Sequence, residues 1–338
     1  MVITKICLNN FTVFEKLSLA LSPGINMFVG ENGTGKTHIM KVGYAACQAA
    51  RADVSFAQKI VRVFRPVDSN ISRLVRRRRG GSEAELSVSG DKCRISATFS
   101  TKTKKWEATV KGEDKWETCN AGLVSTFVPA KEILSNSYLF PEAYHKDVID
   151  FDETYMDIIA SAKLDISRGP NTEMKKKYLD KLGKVMSGTV TIRDERFYLK
   201  PGTQAHIEFQ LVAEGVRKLA LLWQLIKNGT LEKGTVLFWD EPEANLNPKC
   251  IPILVDILLE LQRDGVQCFI ATHDYVLAKY FELRALPTDS LKFYSLYTEK
   301  DQVLCEDSPT FGGLTNNPIM AAFDVLLDEV LSRGKVVK

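Results

Sequence analysis

The segment FVGENGTGKTHIMK, Phe28 to Lys41, narrows the folds open to this chain more than any other stretch. Gly30 to Thr37 read G-E-N-G-T-G-K-T, a full match to G-x-x-x-x-G-K-[ST]. The apolar run INMFV precedes it, and THIMKVGYAACQAA after it carries apolar residues at helical spacing. Strand, glycine loop and helix in that order predict an α/β sheet whose loop curls its backbone N–H groups around phosphate oxygens, a path that a Cβ would obstruct. The positive end of the following helix adds to the attraction. The expected nucleotide-binding set is Gly30, Asn32, Gly33, Thr34, Gly35, Lys36 and Thr37, with His38 next in line. Lys36 is expected to reach the β- and γ-phosphates of ATP, and the Thr37 hydroxyl to take a place on Mg2+.

A second segment, GTVLFWDEPEANLNP from Gly234 to Pro248, says what kind of chemistry to expect. Val236 to Trp239 suit a buried parallel strand that delivers Asp240 and Glu241 at its C-terminal end, where α/β sheets bind ligands. Two adjacent carboxylates there divide the labour. Asp240 is expected to bind Mg2+, usually through water, while Glu241 orients and polarises the water that attacks the γ-phosphate. Val266 to Ala271 read as another buried strand, ending in Thr272, His273 and Asp274. Alone, His273 reads as a satisfied core histidine; beyond a phosphate loop and a D-E strand it reads as a γ-phosphate sensor.

The 338 residues, 45% hydrophobic and 26% charged, are enough for a sizeable core and exclude a disordered chain. No apolar run approaches the roughly 20 residues of a membrane helix, and MVITKICLNN lacks the features of a signal peptide, so no membrane contact and a cytoplasmic protein are expected. Seven scattered cysteines form no C-x-x-C pair and are expected to be reduced and structural. A net charge of +3 is too small to argue for nucleic acid by itself. The strongest basic run, RLVRRRRGG, holds Arg76, Arg77, Arg78 and Arg79; KTKKW and MKKKYLDK are lesser ones. Such runs fit DNA phosphates, and equally a solvated loop or a protein contact. Asp150 and Asp152 in DFD resemble paired nuclease carboxylates, but Asp152 fits better as the N-cap of ETYMDIIASA.

Period-two alternation in AELSVSGDKCRISATFS and WEATVKG predicts a small antiparallel sheet. From about 135 to 187 the text turns helical and charged, before a hairpin-like TVTIRDERFYLK. It lacks the sustained heptads of a long coiled-coil arm.

With these motifs in place, the chain resembles the ABC-type ATPases, in the SMC, RecF and OLD branch, over most of its length. ICLNNFTVFEKLSLALSPGINMFVGENGTGKT looks like that branch's opening strand pair and P-loop, and DEPEANLNP is similar to the D-E-P-E-x-x-L-x-P of OLD-like ATPases. Transporter subunits usually read D-E-P-T-S-x-L-D. The resemblance implies an α/β P-loop NTPase of ABC-ATPase type, with a parallel core sheet, an antiparallel β subdomain and a helical lobe. The expected segments are 1–134 (first lobe), 135–205 (helical lobe and hairpin) and 206–338 (signature helix, D-E strand, switch histidine and the rest of the core). It also implies a signature loop, S-x-G-x-[QKR], that meets the γ-phosphate held by a second protomer. Here that loop is Ala213, Glu214, Gly215, Val216, Arg217, so Ala213 stands where the family has serine, while Glu214, Gly215 and Arg217 are expected at the nucleotide. Two further departures are Asn10-Phe11-Thr12 in place of N-F-R, and no glutamine near Lys131 and Glu132, where a Q-loop is expected.

Three functions follow from the resemblance. The first is an ATP-hydrolysing switch, a homodimer formed head to tail on ATP, that gates a separate effector protein, as standalone OLD-like ATPases accompany a nuclease or toxin in defence against phage. The second is an ATP-gated DNA clamp of the RecF kind, in repair. The third, a transporter motor, is disfavoured by D-E-P-E. Too few residues follow His273 for the Toprim nuclease domain of OLD nucleases.

Overall fold

The computed structural model describes residues 2–77, 80–165 and 172–336. The chain opens with the antiparallel pair β1 (Ile3–Phe11) and β2 (Phe14–Ala20), then β3 (Ile25–Gly30), whose six residues are all buried. Two helices follow, α1 (Lys36–Gln48) and α2 (Phe56–Phe64), and then the period-two strands β4 (Glu83–Gly90), β5 (Arg94–Ser100) and β6 (Thr109–Lys111). A short helix, α3 (Glu113–Cys119), leads to β7 (Ser125–Val128). The helical stretch is α4 (Phe140–His145), α5 (Glu153–Lys163) and α6 (Glu173–Met186), followed by β8 (Thr189–Arg193), β9 (Arg196–Lys200) and β10 (Ile207–Glu208). The remainder alternates helix and strand: α7 (Glu214–Lys227), β11 (Val236–Asp240), α8 (Ile251–Arg263), β12 (Gln267–Ala271), α9 (Tyr275–Arg284), β13 (Leu291–Glu299), β14 (Gln302–Ser308) and α10 (Pro318–Val336).

The central sheet has the order β14-β13-β3-β12-β11-β7 and is parallel except for β14. Its strands β3, β11 and β12 are buried at every position because both faces are covered, and the two-residue repeat divides each strand between two cores. Met27, Leu237, Trp239 and Ile270 enter the core shared with α5 to α9, while Phe28, Phe238 and Phe269 enter the core shared with α1 and the antiparallel strands. On that second face Phe127, Phe238, Phe269, Phe28 and Tyr294 stack from strand to strand, with centroid separations between 4.7 and 6.4 Å. The ladder fixes the register of five parallel strands, and with it the heights of the loops at their C-terminal ends.

The second sheet, β2-β1-β4-β5-β6, is antiparallel throughout. Its β4 to β6 are the strands predicted from alternation, and they join the opening pair rather than standing apart. The hairpin β8–β9 pairs with β10 in a three-stranded sheet of the helical lobe. That lobe is tied to the first helices by charge: Lys41 meets Asp152 at 2.7 Å, Lys59 meets Asp157 at 2.6 Å and Glu153 at 3.0 Å, and the Tyr44 hydroxyl donates to Asp157. Asp152 also caps α5 by accepting from the Thr154 N–H, so its DFD context is structural. Strands β3 and β7 come from the first half of the chain and β11, β12 and β13 from the last third, so one sheet is built from both. Among the described residues no helix is long and apolar enough to cross a membrane.

Candidate functional site: the phosphate loop and the acidic strand end

The glycine loop joins β3 to α1 with the backbone its sequence demands. Gly30, Gly33 and Gly35 have φ of 143°, 80° and 89°, values L side chains rarely adopt. At Gly30 a Cβ would come within 2.2 Å of the Leu296 carbonyl oxygen, so the loop passes β13 too closely for any other residue. Lys36 folds back over the loop, its Nζ donating to the carbonyls of Gly30 (2.7 Å) and Glu31 (2.8 Å), and the Thr34 hydroxyl donates to Glu31. Burial lowers the Lys36 pKa, opposed by the nearby carboxylates of Asp240, Glu241 and Glu243.

Opposite the loop, β11 ends at Asp240, and the Thr37 hydroxyl donates to Asp240 Oδ2 at 2.9 Å. Hydroxyl and carboxylate are hard oxygen donors at adjoining positions, which fits Mg2+. Burial raises the Asp240 pKa, a cost that a divalent cation would offset. Glu241 follows in a left-handed conformation, φ 46°, sparsely populated for a residue with a side chain and typical of strain held at functional positions. Its N–H is anchored on the Ala271 carbonyl of β12, and its carbonyl accepts from the Lys218 Nζ of α7 at 3.1 Å. These ties aim the carboxylate at His273, whose Nδ1 lies 3.3 Å from Glu241 Oε1. Both side chains keep solvent access, at 48% for His273 and 32% for Glu241, so water and a phosphate can approach them.

Glu243, two residues on, is the residue whose chemistry sequence reading left without a role. The Thr272 hydroxyl donates to its Oε1 at 2.6 Å, while the buried Oε2 has no partner among the described residues. Burial pushes its pKa up to about 7, with Asp274 and Glu241 adding to the rise. The signal lay in the sequence as a third acid in D-E-P-E and a hydroxyl in T-H-D, a pair that links the acidic strand end to the end of β12 beside it.

The remaining expected contacts are placed more unevenly. His38 turns from the loop to the β1–β2 turn, with Nδ1 3.0 Å from the Thr12 hydroxyl and its ring against Phe64; burial lowers its pKa to about 4, so it is neutral. Ala213 is the exposed N-cap residue of α7, with no side-chain cap bond. Gly215 is buried, and a Cβ there would meet the Asn245 carbonyl oxygen at 2.5 Å, so the start of α7 packs on the loop after the acidic strand. Arg217, expected at the nucleotide, is instead committed within the protomer: its Nε is 2.7 Å from Glu132 Oε2, and its Nη1 donates to the Phe209 and Val212 carbonyls. Glu132 also accepts from the Ser135 N–H and hydroxyl. The position after β7 where a Q-loop was expected thus holds the start of α7 by an ion pair. In the basic run, Arg76 is paired with Glu15 and Arg73 with Asp68, Arg77 is exposed, and Arg78 and Arg79 lie outside the described residues.

A P-loop, a D-E strand end, a histidine at the neighbouring strand end and a helix start packed beside them, on a sheet of this order with an antiparallel subdomain and a helical lobe, define the fold of the ABC-type P-loop ATPases. Two family models match in succession, "AAA domain" over residues 5–118 and "AAA domain, putative AbiEii toxin, Type IV TA system" over residues 136–279. Among curated proteins the chain is 26% identical over 106 residues to the DNA replication and repair protein RecF of Limosilactobacillus fermentum, covering 29% of this chain and 27% of that one. It is 31% identical over 98 residues to RecF of Bacillus mycoides, covering 28% and 26%. The match thus spans about a quarter of the length of these curated relatives. Solved structures with the same fold include an Smc head bound to the C-winged helix domain of ScpA (TM-score 0.60, 14% identity, 91% of this chain and 98% of that one). Another is the Smc head domain with an extended coiled coil bound to the C-terminal domain of ScpA derived from Pyrococcus furiosus (TM-score 0.57, 12% identity, 97% and 99%). The chain belongs with the SMC/RecF-like ABC-type ATPases.

Proposed function

We propose that this chain is an ATP-hydrolysing switch that pairs head to tail with a second copy when ATP is bound. The observation that carries the reading is the Glu241–His273 contact of 3.3 Å beside the Thr37–Asp240 contact of 2.9 Å, all at the C-terminal edge of one parallel sheet. The loop amides and Lys36 hold the β- and γ-phosphates; Thr37 and Asp240 hold Mg2+, which supplies charge neutralisation at the phosphates. Glu241 orients the attacking water and accepts its proton, and His273 holds the Glu241 carboxylate in place and donates to the γ-phosphate oxygen. Gly215 and the N-terminus of α7, lacking the family serine at Ala213, face the partner's nucleotide with backbone N–H groups alone. The output is a conformational change delivered to a separate effector, a reading supported by the toxin–antitoxin description of the family model that spans the helical lobe and the acidic strand.

The RecF matches favour a second reading, an ATP-gated DNA clamp. ATP hydrolysis measured with and without duplex DNA across a salt series, with Glu241→Gln as the blank, separates the two. Hydrolysis that DNA stimulates, fading as salt rises, identifies the clamp; Glu241-dependent hydrolysis indifferent to DNA identifies the partner-gated switch. Absence of any Glu241-dependent hydrolysis overturns both.

A further inference from the structure

The basic run MKKKYLDKLGK divides when it is folded onto α6. Lys177 and Lys181, four residues apart, face α8 and pair with Glu260 at 2.9 and 3.4 Å. Lys176 and Lys184, eight apart on another face, look into a cleft of about 620 Å3 between α6, α7 and the β8–β9 hairpin. Lys200 of β9 and Lys227 of α7 enter the same cleft, with Trp223 beside them. Among the lining residues Asp180 is the one acid, and none of these four lysines has an ion pair or side-chain hydrogen bond among the described residues. The neighbouring Lys175 has its pKa lowered by burial, with Glu232 opposing and the Lys227 charge adding to the fall.

Four lysines from three elements border one cleft whose lining holds a single acid, a positive excess that a bound anion would settle. Three lysine-bearing elements around a concavity also distinguish it from an ordinary solvated helix face, where opposite charges alternate. Its volume lies within the roughly 300–1,000 Å3 typical of small-molecule sites. The walls leave room because Gly183, Gly188 and Gly202 carry no side chain; at Gly188 a Cβ would come within 2.7 Å of the Lys200 carbonyl oxygen. Lysine ammonium groups are compact point charges with three donors each, suited to the several oxygens of linked phosphates.

We propose that this cleft is a second anion site, separate from the P-loop, that binds an oligophosphate group of two or more linked phosphates, either on a free small molecule or along a nucleic-acid strand. The test uses full-length Lys36→Ala protein, so that the P-loop does not answer, titrated by calorimetry with tripolyphosphate and, in a second arm, a 12-nucleotide single strand. The expected result is one tripolyphosphate per chain, with affinity falling as salt rises. It should drop about tenfold or more when Lys184→Ala and Lys200→Ala are added, since each removes a charged hydrogen-bond donor. Lys177→Ala with Lys181→Ala, which removes equal charge from the Glu260 side, should leave it unchanged. Should Lys184→Ala/Lys200→Ala melt well below its parent, Lys176→Ala with Lys227→Ala makes the same measurement. A strand that competes with tripolyphosphate and shows the same lysine dependence identifies nucleic acid as the source; tripolyphosphate binding alone identifies a free oligophosphate. Binding of neither probe, or equal losses from both pairs of substitutions, overturns the proposal.

Discussion

The Nδ1 of His273 and the Oε1 of Glu241 stand 3.3 Å apart, though their residues lie on separate strand ends and 31 positions of chain separate them. The contact depends on the left-handed backbone of Glu241 and on its N–H bond to Ala271, so β11 and β12 place both partners. Glu241→Gln keeps the side chain's shape and removes its basicity. It is expected to retain ATP binding and lose hydrolysis by about 100-fold or more. His273→Ala, which removes a positioning and donor group, is expected to cost less, about 10- to 100-fold in kcat with little change in nucleotide affinity. Steady-state hydrolysis paired with nucleotide-binding calorimetry reads both, and an ATPase rate unaltered in Glu241→Gln would sink the assignment.

The Arg217–Glu132 pair predicts a non-additive stability pattern. The Glu132 side chain is only 2% exposed, and Arg217 also holds the two carbonyls that lead into α7. Removing one partner leaves a buried charge, so Arg217→Met alone is expected to cost about 3–5 kcal/mol in urea unfolding. Arg217→Met with Glu132→Gln should recover much of that loss. A double variant whose cost equals the sum of the singles contradicts a coupled pair.

How much of this was legible in advance depends on the range of each interaction. The phosphate loop, the D-E strand and the T-H-D strand end were readable because glycine, burial and strand polarity are local constraints, and their α/β order leaves few topologies. The N-cap role of Asp152 was readable for the same reason. The pairing of Arg217 with Glu132 was not, since those residues are 85 apart in sequence and meet through the packing of a helix start on a loop after β7. Nor could the text divide Lys177 and Lys181 from Lys176 and Lys184, because the division depends on Glu260 in α8.

Glu243 predicts a pH dependence whose sign follows from its raised pKa. Folding raises it from 4.5 to about 7, so the folded state binds the proton more tightly than the unfolded state. Its contribution to stability is fully present below about pH 4.5 and is lost as pH rises through about 7. His38 works in the opposite direction, its pKa lowered to about 4 from 6.5, so its share is lost as pH falls below about 6.5. The difference between Glu243→Gln and the parent isolates the first effect. The stability of the variant should fall less between pH 5 and pH 8, by something on the order of 1–3 kcal/mol. Parallel pH profiles for the two proteins would contradict a proton held at Glu243.

Gly215 packs where a side chain has no room, with the Asn245 carbonyl oxygen 2.5 Å from the position a Cβ would take and the Leu246 Cα at 3.0 Å. Both obstacles are backbone, so the helix start or the loop after Glu243 must shift. Gly215→Ala is expected to lower unfolding stability by about 1–3 kcal/mol, against the small gain that alanine usually brings to a helix. A stabilised Gly215→Ala protein would show that α7 and the Asn245 loop do not pack as described.

Ala213 offers a substitution that should improve on the natural chain. It holds the N-cap of α7 at φ −56° and ψ 139°, a geometry compatible with a capping serine, yet has no oxygen to accept from the first-turn N–H groups. Ala213→Ser should therefore raise unfolding stability by about 0.5–1 kcal/mol without nucleotide. If two copies close head to tail on ATP, the same hydroxyl also meets the partner's γ-phosphate, and the Glu241→Gln background, which holds ATP unhydrolysed, should then show a tighter ATP-dependent dimer. Sedimentation with and without ATP separates the two effects, because a cap alone stabilises the monomer and leaves the dimer constant unchanged. A gain in stability with no gain in dimerisation would keep the helix-cap argument and remove Ala213 from the nucleotide interface.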